Sequence, residues 1–254
     1  MRAIKRPFTD INALSMGMLL LLLPTILFMI IPTIVVVILI VSLIAGFLVR
    51  GYKFEAARTA LNKKFNMPKW EAWKNLFARG FLGWVIGIIY MVPAMILILI
   101  AIGNVLYSIA LQFGLNQGLN FGDKISDQLI QSSLLQNTAM IPIFIIGVLL
   151  ALLAAYLTPI AIMKFVDKYN FKKAFELKSV FRKAFTGKYF IAVLAVIAYS
   201  LIIGLLASAL SLGFSSINVQ FLTAVMGLII SGLSGFMTLI TTYTIFGEVY
   251  SKLK

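Results

Sequence analysis

Five apolar stretches, at about 14–49, 80–110, 139–163, 189–212 and 217–247, decide what this chain can fold into. Crossing a bilayer takes about 20 apolar residues, each rising about 1.5 Å. The last four stretches each suit one tilted helix. The chain is 61% hydrophobic and only 12% charged, with a mean hydropathy of +1.03, whereas soluble domains carry about 25% charged residues. That much apolar surface exceeds what one globule of this length buries, so lipid must cover the remainder. The expected fold class is all-α, a polytopic transmembrane helix bundle.

The first stretch is too long for one span. As a single helix it would reach about 54 Å, against a hydrocarbon core of about 30 Å. Pro24 and Pro32 also interrupt its hydrogen-bond ladder. We read two segments, 14–30 and 33–49, turning near Pro32, which brings the expected total to about six. The turn carries no charge, so the pair either crosses twice or re-enters as a hairpin shielded by other helices. Arg2, Lys5 and Arg6 ahead of this run mimic a signal peptide, but the run extends too far and no small-residue cleavage site closes it.

Charge sets the orientation. Of the 22 Lys and Arg residues, all but Lys124 fall in the N-terminal tail, the 50–79 and 164–188 segments and the C-terminus. If 14–49 is a hairpin, these segments share one side, which the positive-inside rule assigns to the cytoplasm. The expectation is a multi-pass protein of the cell membrane with both termini cytoplasmic. Its divisions are a tail (1–13), a helical hairpin (14–49), a first repeat unit (50–110), an external loop (111–138), a second repeat unit (139–212) and a last helix with its tail (213–254). In the external loop, Phe121, Ile125, Leu129 and Leu134 have the spacing of a short amphipathic helix.

Both basic segments read as amphipathic elbow helices lying on the cytoplasmic membrane surface. Asn66 before Met67-Pro68 has the form of an N-cap with proline in the first turn. Trp70, Trp73 and Phe77 would then sink into the headgroups while Lys69 and Lys74 reach the phosphates. Asn170 is the corresponding cap in the second segment, with Phe171, Phe175 and Val180 on its apolar face. A shift of 104 residues lays Lys64-Phe65-Asn66 on Lys168-Tyr169-Asn170. The same shift lays Lys69, Lys74, Phe77, Phe81 and Gly83 on Lys173, Lys178, Phe181, Phe185 and Gly187. Such a register implies an internal duplication, with two units in one orientation about a pseudo-two-fold axis along the membrane normal. It leads us to expect both asparagines to be caps, and Gly83 and Gly187 to mark where each chain enters the membrane.

The landmarks Gly51-Tyr52, Arg58, Met67-Pro68-Lys69-Trp70, Leu76-Phe77, Gly80 and Tyr90-Met91-Val92-Pro93 stand in the order G-Y, R, L-P-x-W, L-F, G and Y-x-x-P. Pro159, Phe165 and Ala174-Phe175 follow. In these features, over about 14–212, the chain resembles a prokaryotic, largely archaeal, multi-pass membrane family called domain of unknown function 4013. Met67 departs from the usual leucine, and the linker before Pro68 has fewer acids than expected. The resemblance implies a topology and no activity.

The chemistry available is narrow. The chain has no histidine or cysteine, which removes the commonest metal ligands, a thiol nucleophile and the usual base for a serine. Its eight acids lie in or beside basic segments or in the external loop, away from the apolar stretches where coupled transporters keep theirs. We expect no enzyme, no cofactor and no metal. Without a motif or glycine-rich loop, we expect no nucleic acid partner either. The candidate site is a set of contacts to anionic headgroups, made by Lys63, Lys64, Lys69, Trp70, Trp73 and Lys74 in the first segment and Lys168, Lys172, Lys173 and Lys178 in the second. Each cation near the surface is worth about 1 kcal/mol; the competing reading is that they only set topology. Gly83 with Gly87, and Ser231 with Gly235, have the small-xxx-small spacing of close helix packing, within the chain, between copies in a homo-oligomer or with a membrane-protein partner. Asn104, Ser234, Thr241 and Thr244 are expected mainly to bond to helix backbone or to join helices, and Glu248 to pair with Lys252 one turn on. The leading function is a non-enzymatic membrane scaffold or partner-binding subunit with an anionic-lipid-binding cytoplasmic face. The rival is a passive transporter or channel for a lipid or small solute.

Overall fold

The computed structural model describes residues 2–31, 33–112, 138–216 and 219–253, and among these there is no strand. The expected turn at Pro32 and the expected external helix through Phe121, Ile125, Leu129 and Leu134 lie outside the described residues. A helical turn at Arg2–Lys5 passes into a 3-10 turn at Arg6–Thr9. Then come α1 (Ile11–Ile30), α2 (Val35–Leu61), α3 (Trp73–Gln112) and α4 (Met140–Lys168). A 3-10 turn at Phe171–Phe175 leads to the short α5 (Leu177–Ala184), followed by α6 (Gly187–Ser215) and α7 (Gln220–Ser251). All except α5 are long and apolar enough to cross a membrane, six in number. In lipid a backbone amide has no water to bond, so apolar runs of this length close their hydrogen bonds internally as helices. Asp10 starts α1 by accepting from the Ala13 amide at 3.0 Å, and Thr186 starts α6 by accepting from that of Tyr189 at 3.4 Å.

The hairpin consists of two helices of spanning length, 20 and 27 residues. The second runs to Leu61, well past the expected end at 49. It does so because the cations beyond that point rest on aromatic faces. Arg50 lies 5.8 Å from the ring centre of Phe47, Lys53 4.2 Å from that of Tyr243 and Arg58 4.7 Å from that of Tyr169.

The chain forms two compact units, Met1–Ile86 with Pro159–Lys254, and Gly87–Thr158. In the first, α7 packs against α1, α2 and α6, and α1 packs against α2. Ala13, Leu14, Val49, Tyr52, Ala56, Met67, Leu76, Phe236 and Ile240 form one buried cluster there. α2 and α3 cross with their backbones in contact. A Cβ added at Gly51 would stand 1.8 Å from the Leu76 carbonyl oxygen, and one at Gly80 1.8 Å from that of Phe47. In the second unit, a Cβ at Gly147 would come within 2.8 Å of Ile98. Two polar side chains in this unit bond to their own helix, Asn104 donating to the Ile100 carbonyl at 3.2 Å and Thr158 to that of Ala154 at 2.6 Å.

The small-xxx-small pairs are only half used. A Cβ at Gly83 would lie 2.1 Å from the Phe54 ring, but Gly87 has open space. A Cβ at Gly235 would stand in ordinary contact with Leu21 at 3.8 Å, while Ser231 is exposed and a Cβ at its neighbour Gly232 would crowd Leu22 at 2.7 Å. Gly187 also has open space, so it does not share the packing role of Gly83.

Ala at Gly80 must force α2 and α3 apart, at a cost of about 1–3 kcal/mol or more. We expect Gly80→Ala to lower the thermal midpoint in detergent by several degrees and Gly87→Ala to leave it unchanged. Equal midpoints for both variants would contradict the crossing.

Candidate functional site

The linker between α2 and α3 is a non-helical strap over residues 62–72. α2 stops when Lys63 turns left-handed, with φ 61°. The Lys64 amide reaches back to the Thr59 carbonyl at 2.8 Å and that of Lys63 to Ala60 at 2.9 Å, the bond pair of a Schellman ending. The expected first elbow helix is therefore absent before Trp73, and Asn66 caps nothing. Interactions from elsewhere hold the strap extended. The Tyr52 hydroxyl donates to the Pro68 carbonyl at 2.7 Å. The Trp70 indole donates to the Ala13 carbonyl at 3.0 Å and stacks on Tyr52, ring centres 3.9 Å apart. Trp70 thus turns inward, against the expected headgroup stripe, and only Trp73 of that pair is exposed.

Arg6 ties this assembly together. The residue is 1% exposed, and its guanidinium donates to the Ala56 carbonyl at 2.7 Å, the Thr244 hydroxyl at 2.9 Å, the Asn66 carbonyl at 2.9 Å and the Thr59 hydroxyl, while its Nε has no partner among the described residues. No carboxylate is among these acceptors. Burial pushes its pKa down to about 10, which still leaves it charged at neutral pH. The N-terminal turn, the ends of α2 and α7 and the strap meet at this one side chain.

The second linker is built differently. Asn170 does cap its 3-10 turn, accepting from the Lys172 amide at 3.1 Å. Trp73 and Leu177, each the first residue of the helix after its linker, are 104 residues apart, but the matched pair of caps expected at Asn66 and Asn170 is not formed. Beyond them α3 continues unbroken, whereas α5 stops at Ala184 and α6 restarts at Gly187. Buried Lys164 pairs with Glu176 at 2.6 Å, and this pairing holds the Glu176 carboxyl below its usual range. Glu55 accepts from Arg79 and from the Tyr169 hydroxyl, both at 2.5 Å. Burial, reinforced by that hydrogen bond, pushes the Tyr169 hydroxyl up. Arg79 lies 3.8 Å from the Tyr169 ring centre and Lys183 4.3 Å from that of Tyr250. Glu248 pairs with Lys252 at 3.1 Å, as expected from their spacing.

Glu55, Glu176 and Glu248 are committed to these partners, and the lysines singled out from the sequence are mostly left outside. Lys63, Lys64, Lys74, Lys168, Lys172 and Lys178 are exposed, with no ion pair among the described residues. Lys69 meets Glu71 at 3.6 Å, both side chains open to solvent, and Lys173 is half-buried. α5 adds a feature the sequence reading missed. Val180 and Ala184 pack inward, contrary to the face expected from Phe171, Phe175 and Val180. Leu177, Phe181 and Phe185 instead form an exposed stripe at i, i+4, i+8. At the N-terminus Ile4, Phe8 and Ile11 are likewise exposed beside buried Ala3, Arg6 and Pro7. The spacing of Leu177, Phe181 and Phe185 was readable, and the strong local Lys/Phe content obscured it.

Residues 34–212 match the model of a family described as protein of unknown function (DUF4013). No curated protein and no solved structure matches the chain. Arg6, Ala13 and Thr244 lie outside the matched residues, and Ala56, Thr59, Asn66 and Trp70 within them.

Arg6→Ala takes this donor from two carbonyls and two hydroxyls, each such bond being worth about 1.5–3 kcal/mol. We expect a lower thermal midpoint and faster tryptic cleavage at Lys63, Lys64 and Lys69. Arg6→Lys, which lacks the planar fork, should fall between. Cleavage at the native rate in Arg6→Ala would show that the strap is held by other groups.

Proposed function

The chain belongs to the DUF4013 family, whose description carries no activity, and from its own surface we propose a membrane scaffold or partner-binding subunit whose basic end engages anionic lipid. It is an integral membrane protein in fold, with six helices of spanning length. We assign the basic end to the cytoplasm of the cell membrane on the positive-inside rule, and we propose no catalytic role for it.

The single observation that carries the reading is the pairing of uncommitted lysines with exposed apolar stripes at one end of the first unit. An isolated surface charge set for topology alone needs no aromatic beside it. Here Trp73, Phe77, Phe181 and Phe185 stand out from the protein surface next to Lys74, Lys178 and Arg182. An amphipathic segment with cations above an apolar face is what binds the headgroup boundary of an anionic bilayer. The rival reading, passive passage of a lipid or small solute, draws on an apolar groove of about 250 Å³ in the second unit, lined by Ala101, Val105, Leu106, Met140 and Phe144 among others. That groove has almost no polar lining, which suits an acyl chain better than a solute.

Replacing Lys63, Lys64, Lys69 and Lys74 by Gln should lower the anionic lipid that co-purifies with correctly inserted protein, at about 1 kcal/mol per cation, and leave zwitterionic lipid unchanged. Lipid extraction and quantitation on native and variant protein measures it. Equal anionic lipid in both would return these lysines to a topological role.

A further inference from the structure

α5 presents three different faces. Val180 and Ala184 are fully buried against the protein. Leu177, Phe181 and Phe185 are 53%, 39% and 66% exposed, and the last two rings stack 6.0 Å apart. Lys178 and Arg182, each one residue further on, share a third face at i, i+4 and are exposed. Beside this face lies a groove of about 360 Å³ lined by Glu176, Leu177, Lys178, Ser179 and Arg182. That volume falls within the roughly 300–1,000 Å³ of sites that hold small ligands.

The charge in this groove is positive despite its one acid. Glu176 is bonded at 2.6 Å to Lys164, which is 5% exposed and reaches it from inside the protein. The carboxylate's charge is thereby cancelled from behind. Lys178 and Arg182 form no ion pair among the described residues. Two cations one helical turn apart, with the Ser179 hydroxyl between them in sequence, offer several donors to one tetrahedral anion, and the Arg fork suits phosphate oxygens. A soluble anion would use this charge and leave the adjoining Leu177, Phe181 and Phe185 in water. A glycerophospholipid uses both, because its phosphate and its first acyl carbons are joined.

We propose that this groove seats the phosphate of one anionic glycerophospholipid, held by Lys178 and Arg182, with the chains laid along Leu177, Phe181 and Phe185. The inference rests on the reading that the basic end engages anionic lipid, and it adds that one lipid is held at a defined place while the strap lysines attract lipid diffusely.

Native mass spectrometry of the full chain in detergent, titrated separately with phosphatidylglycerol, phosphatidylcholine and inorganic phosphate, tests it. Variants Lys178→Gln/Arg182→Gln, Lys63→Gln/Lys64→Gln and Phe181→Ser/Phe185→Ser are compared with native protein at matched thermal midpoints. The native chain is expected to bind a first phosphatidylglycerol more tightly than later ones. The α5 cation pair should weaken that first event by about tenfold or more, at about 1 kcal/mol per cation. The α5 aromatic pair should weaken it too, and the strap pair should weaken only the later events. Inorganic phosphate should not displace the lipid. Equal loss in the two lysine-containing cation variants would overturn the defined seat and leave the broader reading standing. Displacement of lipid by inorganic phosphate, or an unaffected aromatic variant, would assign the groove to a soluble anion instead. Phosphatidylcholine binding as tightly as phosphatidylglycerol would overturn the seat and the broader reading together.

Discussion

A buried guanidinium whose two terminal nitrogens bond only to neutral oxygens, and whose Nε has no partner among the described residues, organises this molecule. Removing a charge from water costs several kcal/mol unless hydrogen bonds replace the lost hydration. Arg6 finds two carbonyls and two hydroxyls in place of a carboxylate. Those acceptors come from α2, the strap and α7. The interaction therefore forms only when the first and last parts of the chain sit together at one end of the first unit. The strap follows from it: once Asn66 offers its carbonyl to Arg6, the backbone around Asn66 is committed elsewhere than to a helical turn. Tyr52 and Trp70 complete that commitment from the other side.

The scarcity of acids shapes the rest of this end. Eight Asp and Glu cannot neutralise 22 Lys and Arg, and aromatic faces take a share of the load. Phe47, Tyr169, Tyr243 and Tyr250 each lie under a cation, an arrangement worth about 0.5–2 kcal/mol apiece according to exposure. Arg50, Lys53, Arg58, Arg79 and Lys183 are absorbed into this layer. The outer lysines of the two linkers are not, and their charge remains available at the surface.

The bundle was legible because its cause is local: apolar runs longer than a bilayer is thick become helices whatever their neighbours. The Glu248–Lys252 pair was legible for the same reason, and so was the cap at Asn170. Asn66 shows the opposite case. Its local signal, an asparagine ahead of Met-Pro, matched that of a cap, but Arg6, Tyr52 and Trp70 outcompeted it from 60, 14 and 4 residues away in sequence. The length of α2 was hidden likewise, since Tyr169 and Tyr243, which carry its cations, are remote in the chain. The glycine pairs misled in part because spacing identifies a face, whereas a crossing needs one glycine at the point of contact. Gly51, Gly80 and Gly232 hold those points, and no repeated spacing marks them. In the candidate site, the exposed lysines were readable as a charged set; the inward turn of Trp70 depended on Ala13 and Tyr52, remote in the chain, and which face of α5 stays exposed depended on what that helix packs against.

We propose that the N-terminal turn, both linkers and the end of α7 lie on a single, cytoplasmic side of the membrane. The chain contains no cysteine, so single cysteines report without background. Substitutions at Asn62, Asn170 and Leu253 place one in the strap, one in the second linker and one after α7, and a substitution at Thr138 places one just before α4. Exposed to an impermeant thiol reagent in intact cells, the first three should remain unlabelled until the membrane is opened, and the fourth should label at once. Labelling of Asn62→Cys or Leu253→Cys from outside intact cells would contradict the arrangement on which the Arg6 cage, the strap and the lipid-facing surface all depend.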